Sequence, residues 1–312
     1  LHRAPAWTSR TGSGSPIYIN SSGNDTTGTG SAAAPYATLA KALSVVATSG
    51  TILLSSDITL PNTATYNGVI ISVAGLTIAS DIPGIRRTLD MSAMLSDATT
   101  GGNGISFRGA NQTILGLRFT GYAPTFGGAP SDYVAGVNTR GTGFTAIDCE
   151  FDHIAGRGMA LGESGTPTNS IVLGCDFHHC LDPFSSSPYG NADGLQIFAG
   201  AAHTGITITA CRFWANSDDG TDLFFAQAPL TVIGSISYGN GFRADGVTIG
   251  GDGTGFKLGG ATYSVAHVIT DSLAYDNAGG GFSTNDNTGA VAMRRCTSID
   301  NGRAGNAYPA SF

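Results

Sequence analysis

Lysine is nearly missing from this chain. Lys41 and Lys257 stand alone against 13 arginines in 312 residues, and charged side chains make up only 12% of the whole. So few lysines leave little of the charged helix-forming vocabulary, which argues against a helical bundle. No run of about 18 apolar residues occurs, which removes a membrane-spanning helix. The five cysteines (149, 175, 180, 211 and 296) form no CxxC pair. The opening "LHRAPAWTSR" has no apolar signal core, so an exported form is expected to have lost its signal already. A net charge of −7 argues against a nucleic-acid partner.

What remains is Val, Ile, Thr, Phe, Asn and Asp, with 46 glycines, the vocabulary of strands and tight turns. A repeat organises them. "CEFDHI" from 149, "CDFHHC" from 175, "CRFWAN" from 211, "SISYGN" from 235, "SLAYDN" from 272 and "CTSIDN" from 296 align, with "LRFTGY" from 117 as a looser member. Their starts lie 26, 36, 24, 37 and 24 residues apart. A unit of roughly two dozen residues is too short for a four-stranded propeller blade and lacks a helical period. It suits one coil of a parallel β-helix, so the expected fold is all-β, a parallel β-helix solenoid.

Within the repeat, Asn216, Asn240, Asn277 and Asn301 read as an internal amide ladder. The Cys/Ser column reads as small residues stacked inside the coil, reduced rather than paired, although Cys149 and Cys175 would be neighbours. "CDFHHC" reads as turn and core residues. A zinc site through Cys175, His178, His179 and Cys180 is the lesser alternative, because spacing alone is poor support for it. Leu39, Ala42, Leu43 and Val46 at helical spacing predict a short helix over about 36–48 that covers the open end of the first coil. The expected layout is a tail over 1–15 and one β-helix domain over 16–312. The register of 51–115 is not legible.

The stretch "NSDDGTDLFF" (216–225) crowds Asp218, Asp219 and Asp222 into five positions. Such charges repel unless water screens them or a cation lies between them. Aligning "RGMAL", "DGLQI", "DGTDL", "GFKL" and "GFSTN" gives an outward column of Ala160, Gln196, Asp222, Lys257 and Ser283 on successive coils. Asp222 is expected to face solvent, with Asp193 one coil below Asp219 and Lys257 one coil above Asp222. Four carboxylates and one amine then converge within roughly 10 Å. Insertions near 181–192 and 241–253 enter before the same strand and would wall a groove suited to a polymer. Oxygen-only donors favour Ca²⁺ over zinc, and a lysine beside a divalent cation is a candidate base. A solvated acidic turn is the plain alternative.

"NADGLQIF", "NSDDGTDLFF" and "GTGFKLGG", in this order, resemble the family 9 polysaccharide lyases, typified by pectate lyases, over about Ile17 to Asn301 and most closely over 144–301. The resemblance implies a right-handed β-helix, Ca²⁺ held by Asp193, Asp218, Asp219 and Asp222, and Lys257 as the Brønsted base. It also implies β-elimination on polygalacturonate, giving 4,5-unsaturated products. The chain departs from the family in having no aromatic near Thr221 and in stopping soon after the last coil, which bears on subsite contacts and on the C-terminal cap. Arg157 and Arg243 are the candidate partners for substrate carboxylates. The protein is expected to be a secreted monomer with no nucleic-acid or membrane partner. Three rivals stand beside this reading: a lyase of another acidic glycan, a β-helix glycoside hydrolase using Asp193 with Asp218 or Asp222, and a non-catalytic calcium-dependent glycan-binding β-helix. The chain lacks the Gly-His-Gly and Arg-Ile-Lys strings of β-helix polygalacturonases, which counts against the hydrolase.

Overall fold

The computed structural model describes residues 14–62, 68–94, 102–124, 134–260 and 262–303. Most of the expected tail (1–15) and the C-terminal segment beyond 303 lie outside them. Three all-parallel sheets of ten, eight and nine strands run the length of the molecule, and strands from each follow one another in chain order. This is the parallel β-helix that the repeat predicts. One coil shows the plan: Thr207–Thr209 in the ten-stranded sheet, Arg212–Trp214 in the nine-stranded sheet, then Thr221–Asp222 in the eight-stranded sheet.

The register follows the aligned repeat. Glu150, Asp176, Arg212, Ile236, Leu273 and Thr297 are successive partners, each one residue beyond the aligned Cys or Ser. Two left-handed corners make the coils close. Asp148, Gly174, Ala210, Gly234, Asp271 and Arg295 turn the chain between the first two sheets, and His153, His179, Ala215, Gly239, Asp276 and Asp300 turn it after the second, all at positive φ. Single residues of this kind, Gly and Asp prominent among them, are what a sharp corner requires.

Inside, Phe119, Phe151, Phe177 and Phe213 stack face to face with centroids 4.7–5.2 Å apart, the coil spacing itself. The asparagine ladder is present and fully buried over Asn216, Asn240 and Asn277. Asn216 Nδ2 donates to Asn240 Oδ1 at 3.0 Å, Asn240 to Asn277 at 2.9 Å and Asn277 to Asn301 at 2.8 Å. Each amide also donates to a carbonyl of the preceding coil, as Asn240 does to Phe213 at 3.3 Å. The five cysteines are free thiols. In the Cys/Ser column each Sγ or Oγ donates to the carbonyl two residues back, as Cys149 does to Ile147 and Ser272 to Thr270. Cys175 and Cys180 are buried, while His178 and His179 project outward, so the four-ligand zinc reading fails: the pairs lie on opposite faces of the coil wall.

The N-terminal helix α1 is shorter than expected, Leu39–Val45. Thr38 caps it by accepting from Lys41 N, and Asp25 in turn accepts from Thr38 Oγ1 at 2.7 Å. Leu39 and Ala42 are buried in the same core cluster as Ile19 and Ile52 of the first coils, which places the helix over their open end. The register that the sequence leaves open resolves into strands at Thr51–Leu54, Ile58–Thr59, Val69–Ile71, Thr77–Ser80, Arg87–Asp90, Gly102–Phe107 and Thr113–Leu115.

Candidate functional site

The outward column of the eight-stranded sheet is the one the alignment predicts: Ala160, Gln196, Asp222, Lys257 and Ser283 are register partners on consecutive coils. One expectation is corrected. Asp222 faces outward but not into open solvent; it is 4% exposed, and Asp193, Asp218, Asp219 and Lys257 are 1%, 5%, 0% and 8% exposed. The two insertions cover them. Segment 241–253 folds as a hairpin with Phe242 bridged to Ile249, and its return strand lies on the acidic turn. Gly251 N donates to Ser217 O at 2.7 Å, Asp252 N to Asp218 Oδ1 at 2.7 Å, and Thr254 N to Asp219 Oδ1 at 2.6 Å. A methyl group on Gly251 would lie 2.2 Å from Asp218 Oδ1, so any larger residue there must push that carboxylate aside. From the other wall, Tyr189 meets the Arg243 guanidinium at 4.6 Å, joining the two insertions.

The carboxylates are held individually. Asp193 Oδ1 accepts from Asp219 N at 3.1 Å, and Asp222 accepts from Gln196 Nε2 at 2.6 Å and from Phe224 N at 2.7 Å. Lys257 Nζ lies 3.1 Å from Asp219 Oδ2 and 3.0 Å from Asp252 Oδ2. The first contact is an ion pair without hydrogen-bond alignment, which leaves Asp219 Oδ2 buried with no hydrogen-bond partner. Asp193, Asp219 and Asp222 each offer an oxygen within 4.8 Å of the others, and so do Asp218, Asp219 and Asp252.

Electrostatics describe the same strain. Burial, then the charges of Asp222 and Asp219, push the Asp193 carboxyl well above the usual range, and burial with Asp219 does the same to Asp218. Asp219 rises to about 6, burial outweighing the pull of Lys257. Burial disfavours the Lys257 ammonium, but Asp219, Asp222, Asp218 and Asp252 outweigh it and hold the amine protonated far above neutral pH. Buried like charges without enough cation are costly. A buried carboxylate oxygen with no hydrogen-bond partner and an all-oxygen donor set fit a hard divalent ion such as calcium.

The structure brings the four predicted aspartates and Lys257 together. Arg157 reaches the same column by another route: its Nη1 donates to Gln196 Oε1 at 2.5 Å and its Nη2 pairs with Glu163 at 3.2 Å. It is 2% exposed. A relay therefore runs from Arg157 through Gln196 to Asp222. Arg243 stands on the exposed wall, its Nε donating to Ile249 O at 3.2 Å. Sequence reasoning misses Asp252, because it lies inside an insertion where no repeat alignment reaches.

Fold and site together define a parallel β-helix with a buried acidic site and one amine on a single sheet, between loop walls. The chain belongs to the Pel9A-like right-handed β-helix family, whose model ("Pel9A-like, right handed beta helix region") matches residues 17–310. Pectate lyase L of Paenibacillus polymyxa is 30% identical over 236 residues, 72% of this chain and 49% of that protein. Pectate lyase PEL9 of Emericella nidulans is 33% identical over 162 residues, 45% of this chain and 39% of that protein. The chain thus spans about half the length, or less, of these curated relatives. The crystal structure of pectate lyase Pel9A superposes with a TM-score of 0.76 at 26% identity, covering 92% of this chain and 70% of that one.

Proposed function

We propose that this chain is a calcium-dependent lyase that cleaves polygalacturonate by β-elimination. The observation that carries the reading is Lys257, the single lysine of the solenoid wall, set on the outward strand column among buried aspartates and flanked by two loop walls. Relatives named pectate lyase support the substrate class.

Asp193, Asp218, Asp219 and Asp222 would hold the ion. Bound there, calcium supplies the positive charge that offsets these carboxylates, attracts a substrate carboxylate and acidifies the proton on the neighbouring carbon. With those four aspartates offset, Asp252 alone among the charges beside it still favours the buried Lys257 ammonium, and the Lys257 pKa would fall toward that of a working base. Lys257 Nζ then takes the C5 proton of the sugar. The C–H electron pair becomes the C4–C5 double bond, the C4–O bond breaks, and the departing oxygen takes a proton from solvent. Arg243, on the exposed wall beside Tyr189, would meet a carboxylate of the polymer, and Arg157 would contribute by fixing Gln196 against Asp222. The polymer itself implies action outside the cell. Among the described residues no helix is long and apolar enough to cross a membrane.

The test is incubation with polygalacturonate, following ultraviolet absorbance and reducing ends in parallel, with calcium and then with excess chelator. Calcium-dependent absorbance rising with the reducing ends supports elimination. Reducing ends without absorbance would instead assign a hydrolase, and no product on any acidic glycan would leave a binding protein.

A further inference from the structure

Two arginines without a counter-charge stand on neighbouring coils of the sheet that carries the acidic column. Strands Gly102–Phe107 and Val134–Thr139 both belong to the eight-stranded sheet, with Ser106 paired to Asn138 and Phe107 to Thr139. Arg108 and Arg140 are the next residue of each strand, and Arg140 N donates to Phe107 O at 2.7 Å, so the coils are still in register there. Asn138 lies in the outward column, as the partner of Ala160, and Phe107 lies in the core. Alternation turns Arg108 and Arg140 outward again, and both are half-buried. We propose that Arg108 and Arg140 together bind a carboxylate of the acidic polymer, several sugars away from the one that reacts at Lys257. The inference rests on the function proposed above.

The pairing of the other arginines sets these two apart. Arg86, Arg118, Arg157 and Arg212 each meet a carboxylate at 2.5–3.2 Å. Among the described residues no carboxylate pairs with Arg108 or Arg140, and the Nε of each is buried without a hydrogen-bond partner. Burial, and then the charge of Arg140, lowers the Arg108 pKa from its ordinary value, with no acid offsetting either. Like charges facing each other on adjacent strands are unfavourable, so the pair costs the fold something that an anion between them would relieve. A guanidinium presents its donors as a planar fork that matches a carboxylate, which makes two adjacent forks a fitting seat for one.

Position selects the anion. A chain of polar contacts joins the acidic column to the coil of Arg140: Asp222 to Gln196, Gln196 to Arg157, Arg157 to Glu163, and Glu163 Oε2 to Asn138 Nδ2 at 3.2 Å. Along the axis Arg140 and Arg108 lie four and five coils from Lys257, roughly 19 and 24 Å. Polygalacturonate carries a carboxylate on every sugar, and each 1,4-linked sugar adds a length close to one coil spacing. A polymer lying along this sheet with one sugar at Lys257 therefore brings a carboxylate to the two arginines four to five sugars further on, whereas a trimer ends short of them.

The test is calorimetric binding of polygalacturonate and of trigalacturonate in calcium, on a Lys257→Ala background so that no polymer is cut. Arg108→Gln with Arg140→Gln should weaken polygalacturonate binding roughly tenfold or more and flatten its salt dependence, with trigalacturonate binding unchanged. Arg108→Lys with Arg140→Lys keeps the charges but loses the forks, and its polymer affinity should fall in between. Arg295→Gln with Arg303→Gln removes the same charge from exposed pairs elsewhere and should leave both ligands unaffected. The melting temperature of the glutamine variant at Arg108 and Arg140 should not fall, since two repelling charges are removed. Polymer affinity that survives this variant, equal weakening of polymer and trimer, or equal weakening by the Arg295 and Arg303 changes would each overturn the proposal while leaving the lyase reading intact. A protein that binds neither ligand in calcium would overturn the lyase reading and this proposal with it.

Discussion

Asp219 is the residue on which the candidate site turns, because both three-carboxylate groups share it and Lys257 leans on it. Its carboxyl titrates near 6, above the 3.8 of a free aspartate. A carboxyl whose folded pKa is raised destabilises the folded protein while ionised; that penalty is complete above about pH 6 and vanishes below 3.8. Calcium bound there, as proposed, would relieve the penalty only where it exists. The rise in melting temperature on adding calcium is therefore expected to be largest at pH 7 and to shrink as pH falls toward 5, as scanning calorimetry in calcium and in chelator would show. A rise that does not change over that range would contradict the electrostatics. Replacing Lys257 by Arg keeps the positive charge but not a base that can lose its proton near neutrality. Turnover on polygalacturonate is expected to fall by roughly 10²–10⁴, with calcium affinity little changed.

At the scale of elements, the ladder and the wall make separate demands. Asn240 accepts from Asn216 N and Nδ2 and donates to Asn277 and Phe213, all fully buried. Asn240→Ala strands several of these groups and should lower stability by on the order of 3 kcal/mol, measured as a shift of the urea midpoint with unchanged slope. Gly251→Ala acts locally, since its methyl group collides with Asp218 Oδ1. Calcium affinity should drop about tenfold while the urea midpoint hardly moves, because a supporting contact of the ligand shell is displaced and no core group is. The ladder is legible in the sequence because the last four repeats restate it five residues after the aligned Cys or Ser. The wall is legible only as two long gaps. What those insertions do, covering Asp218 and supplying Asp252 to Lys257, depends on loop geometry that no periodicity encodes.

At the scale of the molecule, one core cluster runs from Ile19 under helix α1 to Phe282, which supports reading the described coils as a single folded unit. The sheets have different outer faces. The eight-stranded sheet carries the acidic column, and the nine-stranded sheet carries stacked aromatics and arginine–carboxylate pairs such as Arg212 with Asp176. Alternation along each strand is enough to put Lys257 beside Asp222, since a two-residue period leaves no other choice of face. The burial of Asp222 is not legible in that way, because exposure depends on what the insertions cover and not on the strand's own pattern. For the molecule as a whole, the proposed function ties the two together: the acidic cluster would bind calcium so that Lys257 can act as a base. The most direct measurement pairs calcium calorimetry with the ultraviolet assay on Lys257→Ala. The variant is expected to bind calcium at least as tightly as the parent and to form no unsaturated product. Unsaturated product formed at the parent rate by the variant would contradict it.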